Sequence, residues 1–182
     1  MRLCGIDEAG RGPLAGPLTI AGVILNRPIE GLNDSKKLTE KKREALYDLI
    51  CEYSTYHIAH FSPSQIDNLG LSVCLATGLR EIMSALGEAD YLYDGNSTFG
   101  VSGLRTMVKA DATIPEVSAA SILAKVTRDR EMVELAPKYP AYGFERHKGY
   151  ASASHIEAIR QYGYCEIHRK SFQLKQLQPT LF

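Results

Sequence analysis

Several features are missing from this 182-residue chain, and each absence narrows the reading. There is no excess of either charge, since Lys+Arg and Asp+Glu both total 21. Composition alone therefore does not predict a polyanion partner, although segregated charge still allows one. No apolar run reaches ~18 residues, the length a spanning helix needs. The opening Met1-Arg2-Leu3-Cys4 runs straight into polar sequence, so no signal peptide is expected. The four cysteines (Cys4, Cys51, Cys74, Cys165) form no C-x-x-C pair. That argues against a zinc knuckle or redox motif and suits reduced thiols in a cytoplasmic protein. Internal repeats and low-complexity segments are also lacking. With 45% hydrophobic residues the chain can build a core, and its length suits one domain.

What is present alternates. Short strands are expected at 2–7, 18–25, 55–61, 91–94 and 104–109, the first two separated by the breaker run Gly12-Pro13-Leu14-Ala15-Gly16-Pro17. An amphipathic helix is expected over 39–53, with Ala45, Leu46, Leu49, Ile50 and Tyr53 on one face. Ser62-Pro63-Ser64-Gln65 reads as a capping box opening a long helix that runs through Leu86 and closes at Gly87. Further helices are expected from Pro115 to about Leu135 and over 152–162. Strands interleaved with helices imply an α/β layer fold with a mixed sheet. Charge is uneven along the chain: residues 138–175 carry seven cations against three anions, a net +4, and three of the five histidines. A solvated helical face explains such a segment as well as a phosphodiester partner does.

Acid placement is the informative pattern. Asp7 and Glu8 end the first strand, Asp94 ends a later one, and Asp111 follows a third. Ligand sites in α/β sheets gather at strand ends. Four carboxylates brought together would repel and raise their own pKa values unless cations entered, and oxygen-rich sites suit Mg²⁺ or Mn²⁺. Two such ions roughly 3.5–4 Å apart can activate water on one side of a phosphorus and stabilise the leaving oxygen on the other. Any single acid after a strand is more often a turn former or helix cap, and Asp94-Gly95 alone reads as a turn. Spacing points to metal-dependent phosphoryl transfer without showing that the acids converge.

The same residues carry a family resemblance. Residues 5–17 (GIDEAGRGPLAGP), Asp34-Ser35-Lys36-Lys37-Leu38, Asp94-Gly95, residues 109–129, Tyr142-Gly143-Phe144, His147-Lys148-Gly149-Tyr150 and His168-Arg169-Lys170-Ser171-Phe172 resemble, in order, the motifs of the ribonuclease HII family. Ala110, where the family often has Gly, and a loose match over 68–79 depart from the pattern. The resemblance implies a ribonuclease H-like mixed sheet flanked by helices, with a helical C-terminal extension. It implies one catalytic domain over 1–172 and a tail over 173–182. It implies Mg²⁺- or Mn²⁺-dependent cleavage of RNA in RNA–DNA hybrids and 5′ of single ribonucleotides in duplex DNA, leaving 3′-hydroxyl and 5′-phosphate ends. The metal and catalytic set carries over onto Asp7, Glu8, Asp94 and Asp111, with Asp7 expected to bridge two ions.

Gly10-Arg11-Gly12 is assigned by the resemblance to reading the 2′-hydroxyl, a group that both donates and accepts. Tyr150 matches a tyrosine that stacks on the ribonucleotide sugar. Lys36 and Lys37, and likewise Lys125 and Arg128, suit backbone phosphates, which position a duplex without reading its sequence. Ser118-Ala119-Ala120-Ser121 reads as close helix packing, and His147 and His168 as hydrogen-bonded structural residues. The final Gln178-Pro179-Thr180-Leu181-Phe182 resembles the peptide by which bacterial DNA-maintenance proteins dock on the sliding clamp. A monomer is expected. Ribonuclease HIII, the sister family, carries an N-terminal domain, whereas six residues precede Asp7 here. Another two-metal carboxylate nuclease and a noncatalytic hybrid-binding module are the alternatives.

Overall fold

A computed structural model describes residues 1–33, 35–174 and 177. Among these residues five strands form one sheet: β1 (Leu3–Ala9), β2 (Leu18–Leu25), β3 (Ser54–Phe61), β4 (Asp90–Asp94) and β5 (Leu104–Met107), in the order β3-β2-β1-β4-β5. β1 pairs antiparallel with β2, and β2 with β3, whereas β4 joins β1, and β5 joins β4, in parallel. The sheet is therefore mixed, and its parallel half brings the C-terminal ends of β1 and β4 side by side.

Helices cover both faces because side chains alternate across the strands. Cys4 and Ile6 of β1, Ile20 of β2 and Tyr91 and Tyr93 of β4 pack against α3 (Leu71–Leu86) through Leu75, Leu79 and Ile82. Ala21 and Val23 of β2 pack on the other face against Leu46 and Ile50 of α1 (Glu40–Tyr53) and the small-residue stretch of α4 (Pro115–Leu135). Gly5 governs the approach of α4. A Cβ on Gly5 would lie 2.2 Å from the Glu116 carbonyl carbon, so only glycine lets the first turn of α4 reach β1. Ser118 and Ser121 tie α4 to the 33–35 segment, through Ser118 Oγ to the Asn33 carbonyl (2.7 Å) and Ser121 Oγ to Ser35 Oγ (2.6 Å).

The expected helix through Leu86 is two helices. The Ser62–Gln65 capping box opens α2 (Pro63–Leu69), and Gly70, with φ +84°, ends it and starts α3 at a bend of 111°. A left-handed φ is open to glycine and interrupts the α-helical run. Thr39 caps α1 by accepting from Lys42 N–H (3.3 Å). β5 stops at Met107, short of the expected Lys109, because Lys109 adopts a left-handed conformation with φ +58°. Two short helices complete the C-terminal part, α5 (Phe144–His147), which the sequence pattern does not announce, and α6 (Ala153–Tyr162). They share a core of Leu14, Met132, Phe144 and Ile159 with the loop after β1. No single helix among the described residues is long and apolar enough to cross a membrane. Asp34 and Gln178–Phe182 lie outside the described residues.

Candidate active site

Strand parity decides which acids meet. Ile6 stands opposite Tyr93 in the parallel β1–β4 pair, so the next residues, Asp7 and Asp94, leave adjacent strand ends on the α4 side. Asp111 arrives from the single-turn helix Ala110–Ala112 that leads into α4. One carboxylate oxygen from each of Asp7, Asp94 and Asp111 lies within 4.8 Å of the others. The Asp94 carboxylate also builds the turn, accepting from Lys109 N–H (3.2 Å) and Asp111 N–H (3.0 Å). Asp94 thereby orients its own neighbour in the cluster.

Glu8 stands beside this triad rather than within it. As the next residue along β1 it projects to the opposite face, where Oε1 accepts from Arg11 (3.3 Å). Its Oε2 and the Tyr93 hydroxyl are both buried without a hydrogen-bond partner among the described residues. Asp7 Oδ1 accepts from Glu8 N–H (2.8 Å). Burial, and then the charges of Glu8, Asp94 and Asp111, hold the Asp7 carboxyl well above the usual carboxylate range. Asp7, Asp94 and Asp111 together offer an oxygen-only donor set, which a hard divalent cation neutralises. The residues present therefore fit Mg²⁺ or Mn²⁺.

The triad lies on the floor of an open cleft of about 840 Å³. Gly10, Arg11, Gly12 and Tyr150 line it, and Lys36, Lys37, Lys109 and Lys125 add cations to the rim. An acidic floor under a basic rim matches a phosphodiester whose backbone is gripped outside the reacting bond. Lys125 reaches Asp129 (3.1 Å), a fifth acid at the cleft that the sequence reading missed. Residue 129 follows Lys125 by one helical turn, which is the signal that was available.

Arg128 corrects the expectation of a phosphate contact. It is 1% exposed, and its guanidinium donates to the carbonyls of Pro17 (2.8 Å), Lys148 (2.8 Å) and Ala15 (2.9 Å). Nor is the basic C-terminal segment simply a solvated face, because Arg169 within it is fully buried.

His147, His155 and His168 occupy a separate cluster under the Tyr150 loop. His147 Nε2 donates to the Tyr142 carbonyl (2.6 Å), and Nδ1 accepts from Gly149 N–H (3.1 Å). His168 Nδ1 accepts from Cys165 N–H (2.8 Å), which assigns its proton to Nε2, 2.9 Å from His155 Nε2. His155 in turn donates from Nδ1 to the Tyr150 carbonyl (2.8 Å). This assignment closes with all three rings neutral. Burial lowers the basicity of His147 and His155. Burial and the neighbouring His155 bring His168 down to about 4. No histidine lines the cleft.

Residues 4–175 match the model of the family described as Ribonuclease HII. A ribonuclease HII of Sulfurovum sp. is 64% identical over 181 residues, covering 99% of this chain and 96% of the relative. One from Campylobacter hominis is 62% identical, covering 100% of this chain and 99% of the relative. Among solved structures, the ribonuclease HII in a PCNA complex from Archaeoglobus fulgidus is similar, with a TM-score of 0.81 and 29% identity. That match covers 100% of this chain and 98% of the other. Ribonuclease H2 from Pyrococcus horikoshii matches with a TM-score of 0.76 and 32% identity, covering 95% of this chain and 94% of the other.

Proposed function

The chain belongs to the ribonuclease HII family, a divalent-metal-dependent ribonuclease H that cuts within RNA–DNA hybrids, and on that premise we propose that it also nicks duplex DNA 5′ of a single embedded ribonucleotide. The meeting of Asp7, Asp94 and Asp111 at the floor of a basic-rimmed cleft carries the reading. Asp7, Asp94 and Asp111, with Glu8 beside them in the same cleft, would hold two divalent ions, Mg²⁺ or Mn²⁺. When bound, such ions lower the pKa of water and stabilise the leaving 3′-oxygen.

The protein's own groups do the rest. Asp94, fixed by two amide donors, holds the Asp111 turn in register with β1. Gly10-Arg11-Gly12 presents backbone polar groups to a 2′-hydroxyl, which DNA lacks. Tyr150, 43% exposed at the cleft, offers its ring to the sugar. Lys36, Lys37, Lys109 and Lys125 take the flanking phosphates. The products carry a 3′-hydroxyl and a 5′-phosphate. The protein works as a cytoplasmic monomer, and the tail Gln178–Phe182 docks on a sliding clamp, in keeping with the related protein solved with PCNA.

One assay tests the reaction: a circular duplex with one internal ribonucleotide, incubated with Mg²⁺, Mn²⁺ or EDTA. The expected result is a single nick 5′ of the ribonucleotide that EDTA abolishes. Cleavage only after linearisation would indicate an exonuclease, and binding without cleavage would indicate a noncatalytic module.

A further inference from the structure

Two guanidinium groups lie buried directly behind the Gly10–Pro17 loop. Arg128 is 1% and Arg169 0% exposed. Among the described residues neither forms an ion pair with a carboxylate. Arg169 donates to the carbonyls of Gly16 (2.9 Å), Arg11 (3.2 Å), Gly10 (2.6 Å) and Pro17 (3.0 Å). Together with the three bonds from Arg128, every hydrogen bond of the pair ends on a main-chain oxygen. Burying two cations side by side without an anion is costly, and Arg169 is brought down to about 9 by burial and by the charge of Arg128.

The arrangement has a geometric consequence. All peptide bonds among the described residues are trans, and in a planar trans peptide the N–H points opposite to the C=O. Arg169 draws the Gly10 and Arg11 carbonyls inward, so the N–H groups of Arg11 and Gly12 face the other way, toward the cleft that these residues line. Neither amide donates to another group among the described residues. Gly10 makes room for this: at φ +96°, a Cβ there would lie 2.4 Å from Arg128 Nε. Arg128 also reaches the opposite wall of the cleft, holding the Lys148 carbonyl and lying 5.4 Å from the Tyr150 ring centre.

We propose that Arg169 and Arg128 are positioning residues that aim the Arg11 and Gly12 amides and the Tyr150 ring at a single ribose, which makes the enzyme selective for an isolated ribonucleotide. The proposal rests on the reading of that loop and of Tyr150 given above. A uniform hybrid offers a 2′-hydroxyl in every register, so a misaimed loop still finds one. An isolated ribonucleotide offers one only. Lysine keeps the charge but cannot span four carbonyls with a planar fork.

Arg169→Lys is therefore assayed on a single-ribonucleotide duplex and on a long RNA–DNA hybrid, beside the wild type. A loss of about ten-fold or more in kcat/KM on the first, with about three-fold or less on the second, supports the proposal. Equal losses overturn it, because a merely structural role reduces the active fraction for both substrates alike. Arg128→Lys repeats the comparison if Arg169→Lys fails to fold. A measurement without mutation stands beside them: the Nε–H resonance of Arg169 in wild-type protein with EDTA should shift with the ribonucleotide duplex and not with an all-DNA duplex. Identical shifts with both overturn the proposal. If the wild type itself fails to nick the single-ribonucleotide duplex, the underlying reading of the loop fails instead.

Discussion

Acid should unfold this protein through its paired imidazoles. His168 and His155 face each other at 2.9 Å, and each lone pair in the chain Cys165–His168–His155–Tyr150 is already met by an N–H. An added proton must set N–H against N–H, inside a pocket where His147 stacks on His155 at 4.3 Å and Phe144 closes the side. The His168 value falls from 6.5 to about 4 on folding. A folded value below the unfolded one means stability is complete above pH 6.5 and drains away as pH falls toward 4, where the loss saturates. At about 1.4 kcal/mol per pH unit, His168 alone removes roughly 2–3 kcal/mol between pH 7 and 4.5. That is a large part of the ~5–15 kcal/mol that holds a domain together. Urea titrations of the metal-free wild type and His168→Gln across that range measure it. The variant starts less stable at pH 7 but has the shallower slope, by roughly 2–3 kcal/mol over the range. Parallel slopes would refute the neutral-pair assignment.

Other outcomes follow from the same geometry. Asp7→Asn should abolish cleavage while raising the melting temperature of the metal-free protein, since it replaces a carboxyl whose ionisation is opposed by burial and then by the charges of Glu8, Asp94 and Asp111; a lowered melting temperature would contradict that opposition. Gly5→Ala should cost stability, and activity with it, by forcing Glu116 and the first turn of α4 off β1 and parting Asp111 from Asp7; activity and denaturation midpoints that match wild type would contradict the close approach. Tyr150→Ala should impair nicking at one ribonucleotide more than cleavage of a long hybrid, with kcat/KM on both as the readout. Deleting residues 178–182 should leave cleavage intact and end clamp pull-down.

Local chemistry wrote much of this protein in plain view. The breakers at 12–17, the Ser62–Gln65 box and the Pro115 start lie where hydrogen-bonding and steric rules put them, within a few residues of the observed element ends. The acids were legible as strand-end residues and, through the family resemblance, as a set. Gly70 shows the limit of pattern reading: apolar spacing continues through it, and a left-handed φ alone divides α2 from α3. The tertiary structure decided what depends on distant partners. Parallel pairing of β1 with β4 and strand parity sent Asp7 and Asp94 to one face and Glu8 to the other. Arg169 holds the Gly10 carbonyl across 159 positions, so neither its burial nor its task has a local signature. Residue type and spacing determine which groups are available, whereas convergence of charge and loss of solvent are properties of packing.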